Sequence, residues 1–161
     1  MREAIGASWI MIIVLTFIAL FSGYLALSIN YSKAFRMKDG IVDRLEKHSG
    51  PNTDSVEDID NLMSEINYNS RGSCDMLSNG DAGVDFIGVN RTMVTKNPTS
   101  GTYNYCVSKV NAFNPSGQMT SAYYKVVVFF SLSFPVFDDL LSFHVSGETI
   151  NIFYPEDNWM E

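Results

Sequence analysis

Between Glu3 and Lys33 the chain carries no charged side chain; Ala4 to Ser32 reads AIGASWIMIIVLTFIALFSGYLALSINYS. About 20 apolar residues in helical conformation cross the ~30 Å hydrocarbon layer of a bilayer. At about 1.5 Å per residue the whole run reaches about 43 Å. A secretory signal has an apolar stretch of only about 7–15 residues before a small-residue cleavage site. Here large apolar residues continue past Ala19, Ser22, Gly23 and Ala26 as far as Ile29. We therefore read residues 1–32 as a retained, single-pass transmembrane anchor, and function has to be read from an anchor together with the remainder of the chain.

That remainder divides into an amphipathic helical extension, 33–50, and a domain, 51–161. From Lys33 onward about 128 residues remain, enough for one ordinary domain with its own core. The chain has 18 Asp and Glu against 11 Lys and Arg, a formal net charge of -7. A negative exterior opposes binding to nucleic acid, whose phosphates require a basic patch. Cys74 and Cys106 both lie beyond the anchor. An even cysteine count in an exported domain favours a disulfide, whereas two reduced, partly buried thiols would fit a cytosolic one. A zinc site needs about four suitable ligands; with two histidines and no C-x-x-C, no metal or other cofactor is expected.

Orientation is contested by the sequence. Lys33, Arg36 and Lys38 come after the anchor, against Arg2 and the terminal amine before it. The positive-inside rule read locally prefers a cytoplasmic C-terminal side, but by a margin of about one charge. The cysteine pair and the Asn-, Ser- and Tyr-rich remainder point outward, and we take the domain as extracytoplasmic.

In the extension, Ala34, Met37, Ile41 and Leu45 recur at three- and four-residue steps with charges between them, an amphipathic stripe. Gly40 lowers helix propensity by about 1 kcal/mol and marks a bend; Gly50-Pro51 closes the helix. One helix is expected from about Glu3 to about Ser49. A second is expected over 54–67, capped by Asp54 or Ser55, with Val56, Ile59, Leu62, Met63 and Ile66 on one face and Glu57, Asp58 and Asp60 in its early turns. Residues 67–83, rich in Gly, Ser and Asn and carrying Cys74, read as loop. The acidic, glycine-rich run from Asp75 to Asp85 lacks EF-hand spacing and reads as solvated.

Four strands are expected beyond this loop: Val84–Val89; Tyr103–Phe113, with Tyr103, Tyr105, Val107 and Lys109 on one side; Tyr123–Phe134; and Phe143–Tyr154. Asn114-Pro115-Ser116-Gly117 is a turn cluster, and the aromatic and β-branched run at 123–134 is the strongest strand signal. The expected fold is α+β: a long N-terminal transmembrane helix with an amphipathic extension, then a small, mainly antiparallel β-sheet domain. The segment joining the last two strands, Phe134 to Phe143, reads as a connection yet is apolar, with Phe134, Pro135, Phe137, Leu140, Leu141 and Phe143. Such a loop either caps the core or presents a contact surface to lipid or a neighbour.

Ala19-x-x-x-Gly23, flanked by Ser22 and Ala26, would let two helices approach closely in lipid. Glu3, at the start of the run, is favoured by the helix dipole; inside the apolar layer it would need a cationic partner, for which a neighbouring subunit's terminal amine is the candidate. No G-x-S-x-G, Walker A or dinucleotide fingerprint occurs, and His48 and His144 sit in no catalytic motif, so no enzyme is expected.

Together these parts resemble a minor pilin or pseudopilin of the type IV filament superfamily, in an arrangement similar to Tad-type pilus proteins. The resemblance covers the anchor and the closing pattern YYKVVVFFSLSFPVFDDLLSFHVSGETI, Tyr123 to Ile150; residues 51–122 are outside it. It implies a structural part that enters the membrane, meets a filament assembly machine and packs against other pilin-like subunits, with Glu3 as the assembly carboxylate. The chain departs from the pattern in one respect. Such proteins are cut after Gly or Ala and keep Glu as their fifth residue, whereas cutting after Gly6 here would remove Glu3. The competing class is a tethered extracytoplasmic binding or sensor domain that never polymerises.

Overall fold

The computed structural model describes residues 2–78, 85–134 and 137–153, with the backbone alone for 2–7, 76, 78, 131–134 and 137–142. Helix α1 (Arg2–Lys47) is continuous over 46 residues. Its second part carries the expected stripe: Ala34, Met37, Ile41 and Leu45 are all fully buried. Helix α2 (Thr53–Glu65) crosses this part of α1 and buries Val56, Ile59 and Met63. A single turn, α3 (Asp75–Ser78), comes next.

The rest is an antiparallel sheet of five strands in the order β2-β1-β3-β4-β5: β1 (Phe86–Asn90), β2 (Met93–Lys96), β3 (Tyr105–Phe113), β4 (Met119–Phe134) and β5 (Phe137–Glu148). Alternation divides the sheet into two faces. Ile87, Val89, Tyr105, Val107, Tyr124, Val126, Val128 and Phe130 form one core with α1 and α2. Phe86, Cys106, Val127 and Phe129 form a smaller one with Cys74 and Leu77 on the other face. The α+β layout is the expected one.

Several local expectations are corrected. Gly40 makes no break in α1. A Cβ there would strike the Leu62 side chain of α2, so this glycine lets the two helices approach closely. The turn that ends α1 places Ser49 in the left-handed region at φ 58. The Ser49 amide donates to the Glu46 carbonyl and the Gly50 amide to that of Leu45, at 3.3 and 2.9 Å. This is the hydrogen-bond pattern of a Schellman motif with serine where glycine is usual. The cap of α2 is Asn52, two or three residues earlier than expected: its Oδ1 accepts from the Ser55 amide at 2.8 Å, and the Ser55 hydroxyl accepts from the Asn52 amide at 2.9 Å.

Strand β2 is absent from the sequence reading, and Tyr103 changes side. Rather than joining Tyr105 and Val107, its ring packs on the cluster around the cysteines. It lies over Gly88, where a Cβ would come within 2.7 Å of the ring. The alternation breaks at Asn104, which is 1% exposed; its Oδ1 accepts from the Arg91 amide and its Nδ2 donates to the Ser70 carbonyl.

The largest correction concerns the segment after Phe134. Residues 137–142 are strand, not connection: Leu132 pairs with Leu141, Ser131 with Ser142, and the hairpin closes at Phe134–Phe137, with a register shift between Leu132 and Phe134. The last strand correspondingly ends at Glu148, and of its expected continuation only an isolated bridge, Ile152 to Ala122, is formed among the described residues.

Candidate anchoring and assembly surface

Helix α1 enters the domain as an integral part of its core. Its last turns are clasped by α2 through charge: Arg44 Nε donates to the Asp58 carbonyl at 3.0 Å, His48 Nε2 donates to the Asp58 carboxylate at 3.0 Å, and Lys47 Nζ lies 3.5 Å from the same oxygen. The His48 hydrogen bond is the largest cause holding the Asp58 pKa below the ordinary carboxylate value; desolvation opposes it, and Lys47 adds a smaller lowering. From the sheet side, the Ile150 amide donates to Glu46 Oε1 at 2.9 Å. His48 therefore has a structural partner, and His144 pairs across from Phe129 in the exposed part of β5.

Toward its N-terminus the helix leaves the domain. Residues 8–22 are exposed on all sides, including Trp9, Ile10, Ile13, Phe17, Leu20 and Phe21. A helix apolar around its full circumference is matched to an apolar surrounding, and α1 is long and apolar enough to cross a membrane.

The small residues separate into two groups. Ala19 and Ser22 are exposed, whereas Gly23 and Ala26 are half-buried, as are Leu27 and Asn30. Those four continue the line of Ala34, Met37, Ile41 and Leu45 toward the N-terminus. Glu3 lies in α1, and its side chain is outside the described residues.

Of the apolar residues at 134–143, Phe143 is described in full. It is 39% exposed and stacks on Phe130 with ring centroids 5.3 Å apart. Phe130 in turn meets Tyr31 edge-on at 5.9 Å, and Tyr31 neighbours Phe35 at 6.2 Å. This aromatic cluster joins the hairpin to α1 where the uncharged run ends. The side chains of Phe134, Phe137, Leu140 and Leu141 lie outside the described residues, and so does Pro135 entirely.

Cys74 and Cys106 are joined in a disulfide, with Cα atoms 5.8 Å apart and a sequence separation of 32. It fastens the entry to α3 onto β3, on the face away from α1.

One feature escaped the sequence reading. A cleft of about 710 Å³ lies between α2 and the β1–β2 hairpin, lined by Thr53, Val56, Glu57, Asp60, Thr92 and Lys96 among others. The strand that forms its far wall is a short, mostly exposed one, so no apolar alternation announced it. Arg91 reaches to 3.7 Å from Asp60 at its edge. Tyr105 of β3 is 1% exposed, and its hydroxyl has no hydrogen-bond partner among the described residues. Burial, helped by the nearby Asp60 charge, raises its pKa, so the phenol stays neutral. Among the described residues, no three His, Cys, Asp or Glu side chains gather into a metal-binding group. Comparison with models of known families, with curated proteins and with solved structures finds no match to this chain.

Proposed function

We propose that the chain is a membrane-anchored, pilin-like structural subunit that contributes to a cell-surface filament of the type IV or Tad-like kind, or to its tip complex, with its sheet domain outside the cytoplasm and no catalytic role. The observation that carries this reading is the single unbroken helix α1, bare and apolar in its first part and built into the domain core in its second. A subunit drawn from lipid into a helical bundle needs such a helix. The bare part must tolerate lipid or neighbouring helices, and small residues on it permit close approach. The disulfide is in keeping with a domain that works in an oxidising compartment.

The exposed small residues are the place to test it. Ala19→Leu adds hydrophobicity at an exposed position of α1, so insertion should be normal. Membrane levels equal to wild type, with loss of surface structures or of co-purifying pilin-like partners, are the expected result. Normal assembly at matched expression would favour the tethered binding domain instead, since leucine anchors at least as well as alanine. Protease added to intact cells should remove the domain; full protection until lysis would reverse the orientation.

A further inference from the structure

Strand β2 is one edge of the sheet: β1 pairs with it on one side, and among the described residues no strand pairs with it on the other. The register decides which of its backbone groups face outward. The Asn97 amide donates to the Phe86 carbonyl at 2.8 Å. In an antiparallel ladder such hydrogen-bonded pairs recur at every second residue, so Gly88–Thr95 and Asn90–Met93 are the next two. On the opposite side of β1, the Asp85 and Val89 carbonyls accept from the Lys109 and Asn104 amides, which keeps the same alternation. Val94 and Lys96 therefore turn their amides and carbonyls away from the sheet, along its outer edge. The side chains of the same two residues line the cleft opposite α2. The strand wall, from Thr92 to Lys96, and the helix wall, from Thr53 to Asn61, are each about 12–13 Å long, room for about four residues of extended chain. A peptide paired with this edge would lay every second side chain into the cleft.

Charge selects the occupant. Glu57 and Asp60 stand on the helix wall. Asp60 Oδ1 is shut off from solvent and has no hydrogen-bond partner among the described residues. Arg91, 3.7 Å from that oxygen, forms an ion pair beyond hydrogen-bonding reach. Leaving a buried acceptor without a donor is costly, and a Lys or Arg of an incoming chain supplies a donor that is also charged. A second oxygen without a partner belongs to the same neighbourhood. Tyr105 stands in one cross-strand row with Val89 and Val94, and burial followed by the Asp60 charge raises its pKa. A carboxylate and a phenol oxygen can both accept from an ammonium or guanidinium group. Lys96 lies two residues along the strand wall from Val94, so the next inward side chain of the peptide should be neutral or acidic. The chain's net charge of -7 also draws a cationic partner.

We propose that the cleft is a peptide site: an extended, basic segment of another protein adds to the outer edge of β2 as a sixth strand and sets a Lys or Arg side chain against Asp60. The site lies wholly within the domain and does not depend on α1 crossing a membrane. The full chain in detergent, with its disulfide intact, is immobilised and exposed to acetylated hexapeptide pools. The pools are degenerate except for Arg, Ala or Glu fixed at the third position, and bound peptide is measured by mass spectrometry. Retention of the Arg pool should exceed that of the Glu pool at least tenfold; equal retention overturns the proposal. Asp60→Asn should bring the two pools within about twofold of each other, and a preference that survives intact in this variant would overturn the role of the carboxylate. Lys96→Pro deletes an outward amide at an exposed edge position, where proline is tolerated. It should weaken retention of the Arg pool at least tenfold with the unfolding midpoint unchanged. An Arg pool with every backbone amide N-methylated should lose retention to the same extent on the unaltered protein. Undiminished retention of that pool, or by folded Lys96→Pro, would exclude strand addition. Displacement of the Arg pool by an equal concentration of N-acetyl-lysine amide would show a site for a small amine. Dimers that form at rising chain concentration and vanish in Lys96→Pro would assign the edge to a second copy of the chain. Either result overturns the proposal.

Discussion

Removing the Cys74–Cys106 bond should cost the domain most of its tolerance to denaturant. Closing a loop with a sequence separation of 32 withdraws about 12 cal/mol/K of chain entropy from the unfolded state, or about 3.7 kcal/mol at 25 °C in the loop-entropy model. The structure gives a reason to expect nearly the full value. Besides the small apolar cluster, the stretch from Tyr68 to Leu77 is held by the Tyr68 hydroxyl on the Phe129 carbonyl, the reciprocal Gly72–Tyr103 bridge and the Asn104 amide on Ser70. All of these precede Cys74, so the disulfide is the clamp at the α3 end. Both cysteines are buried, at 1% and 0% exposure, so a Cys74→Ala, Cys106→Ala double variant also loses packing. A loss of about 3–5 kcal/mol is expected, which is a factor of about 150 to 5,000 in the folding equilibrium and roughly 10–20 °C in Tm for a domain of this size. Pulse proteolysis of the full chain in detergent across a urea series would measure it, and hydrogen exchange should show the Gly72 and Leu77 amides losing protection before those of β3 and β4. A loss under about 1 kcal/mol, with a folded variant, would refute the reasoning. It would mean that the unfolded chain already holds this segment near β3.

Other perturbations have calculable directions. Asn52→Ala removes the cap and half of the reciprocal pair with Ser55, and should cost about 1 kcal/mol in the same unfolding assay. Ser49→Gly relieves a left-handed serine and should stabilise by about 0.5–1 kcal/mol. Gly50→Ala should do the reverse, since φ is 143 and the Tyr124 hydroxyl lies 2.7 Å from the new carbon. The lowered Asp58 pKa means that the clasp between α1 and α2 contributes stability above the ordinary carboxylate pKa and loses it as pH falls through the lower folded value. Unfolding midpoints of wild type and Asp58→Asn should therefore converge as pH drops from about 5 toward 3; parallel curves would remove Asp58 from that role.

The parts of the molecule legible in the sequence are those where burial keeps a strict period. Ala34, Met37, Ile41 and Leu45 are readable because charged residues separate them, and Val56, Ile59 and Met63 for the same reason. The misleading places are those where local chemistry has two solutions. Asn52, Asp54 and Ser55 are all good caps, and the choice among them depends on where α1 ends, which is tertiary information. Tyr103 looks like part of the Tyr105 and Val107 row when alternation is carried through Asn104, a residue the fold uses to break it. Pro135 and the Asp138-Asp139 pair have the composition of a loop, so the local pattern starts the last strand several residues late. The cleft beside α2 is unreadable because β2 has little burial to leave a pattern. The level at which α1 leaves the domain is obscured for the opposite reason: a protein core and an apolar surrounding both accept apolar residues, so the uncharged run does not show where the domain's cover of the helix ends.

Because α1 passes from the bare segment into the core without a hinge, the domain has no independent swivel. From Ser22 to Lys47 the helix forms a lever of about 38 Å. A tilt of about 10°, well within what bilayers of different thickness impose on spanning helices, would swing its far end by about 6–7 Å. Membrane thickness would thereby be converted into domain position, with the Ala34–Leu45 stripe as the coupling that makes the sheet follow.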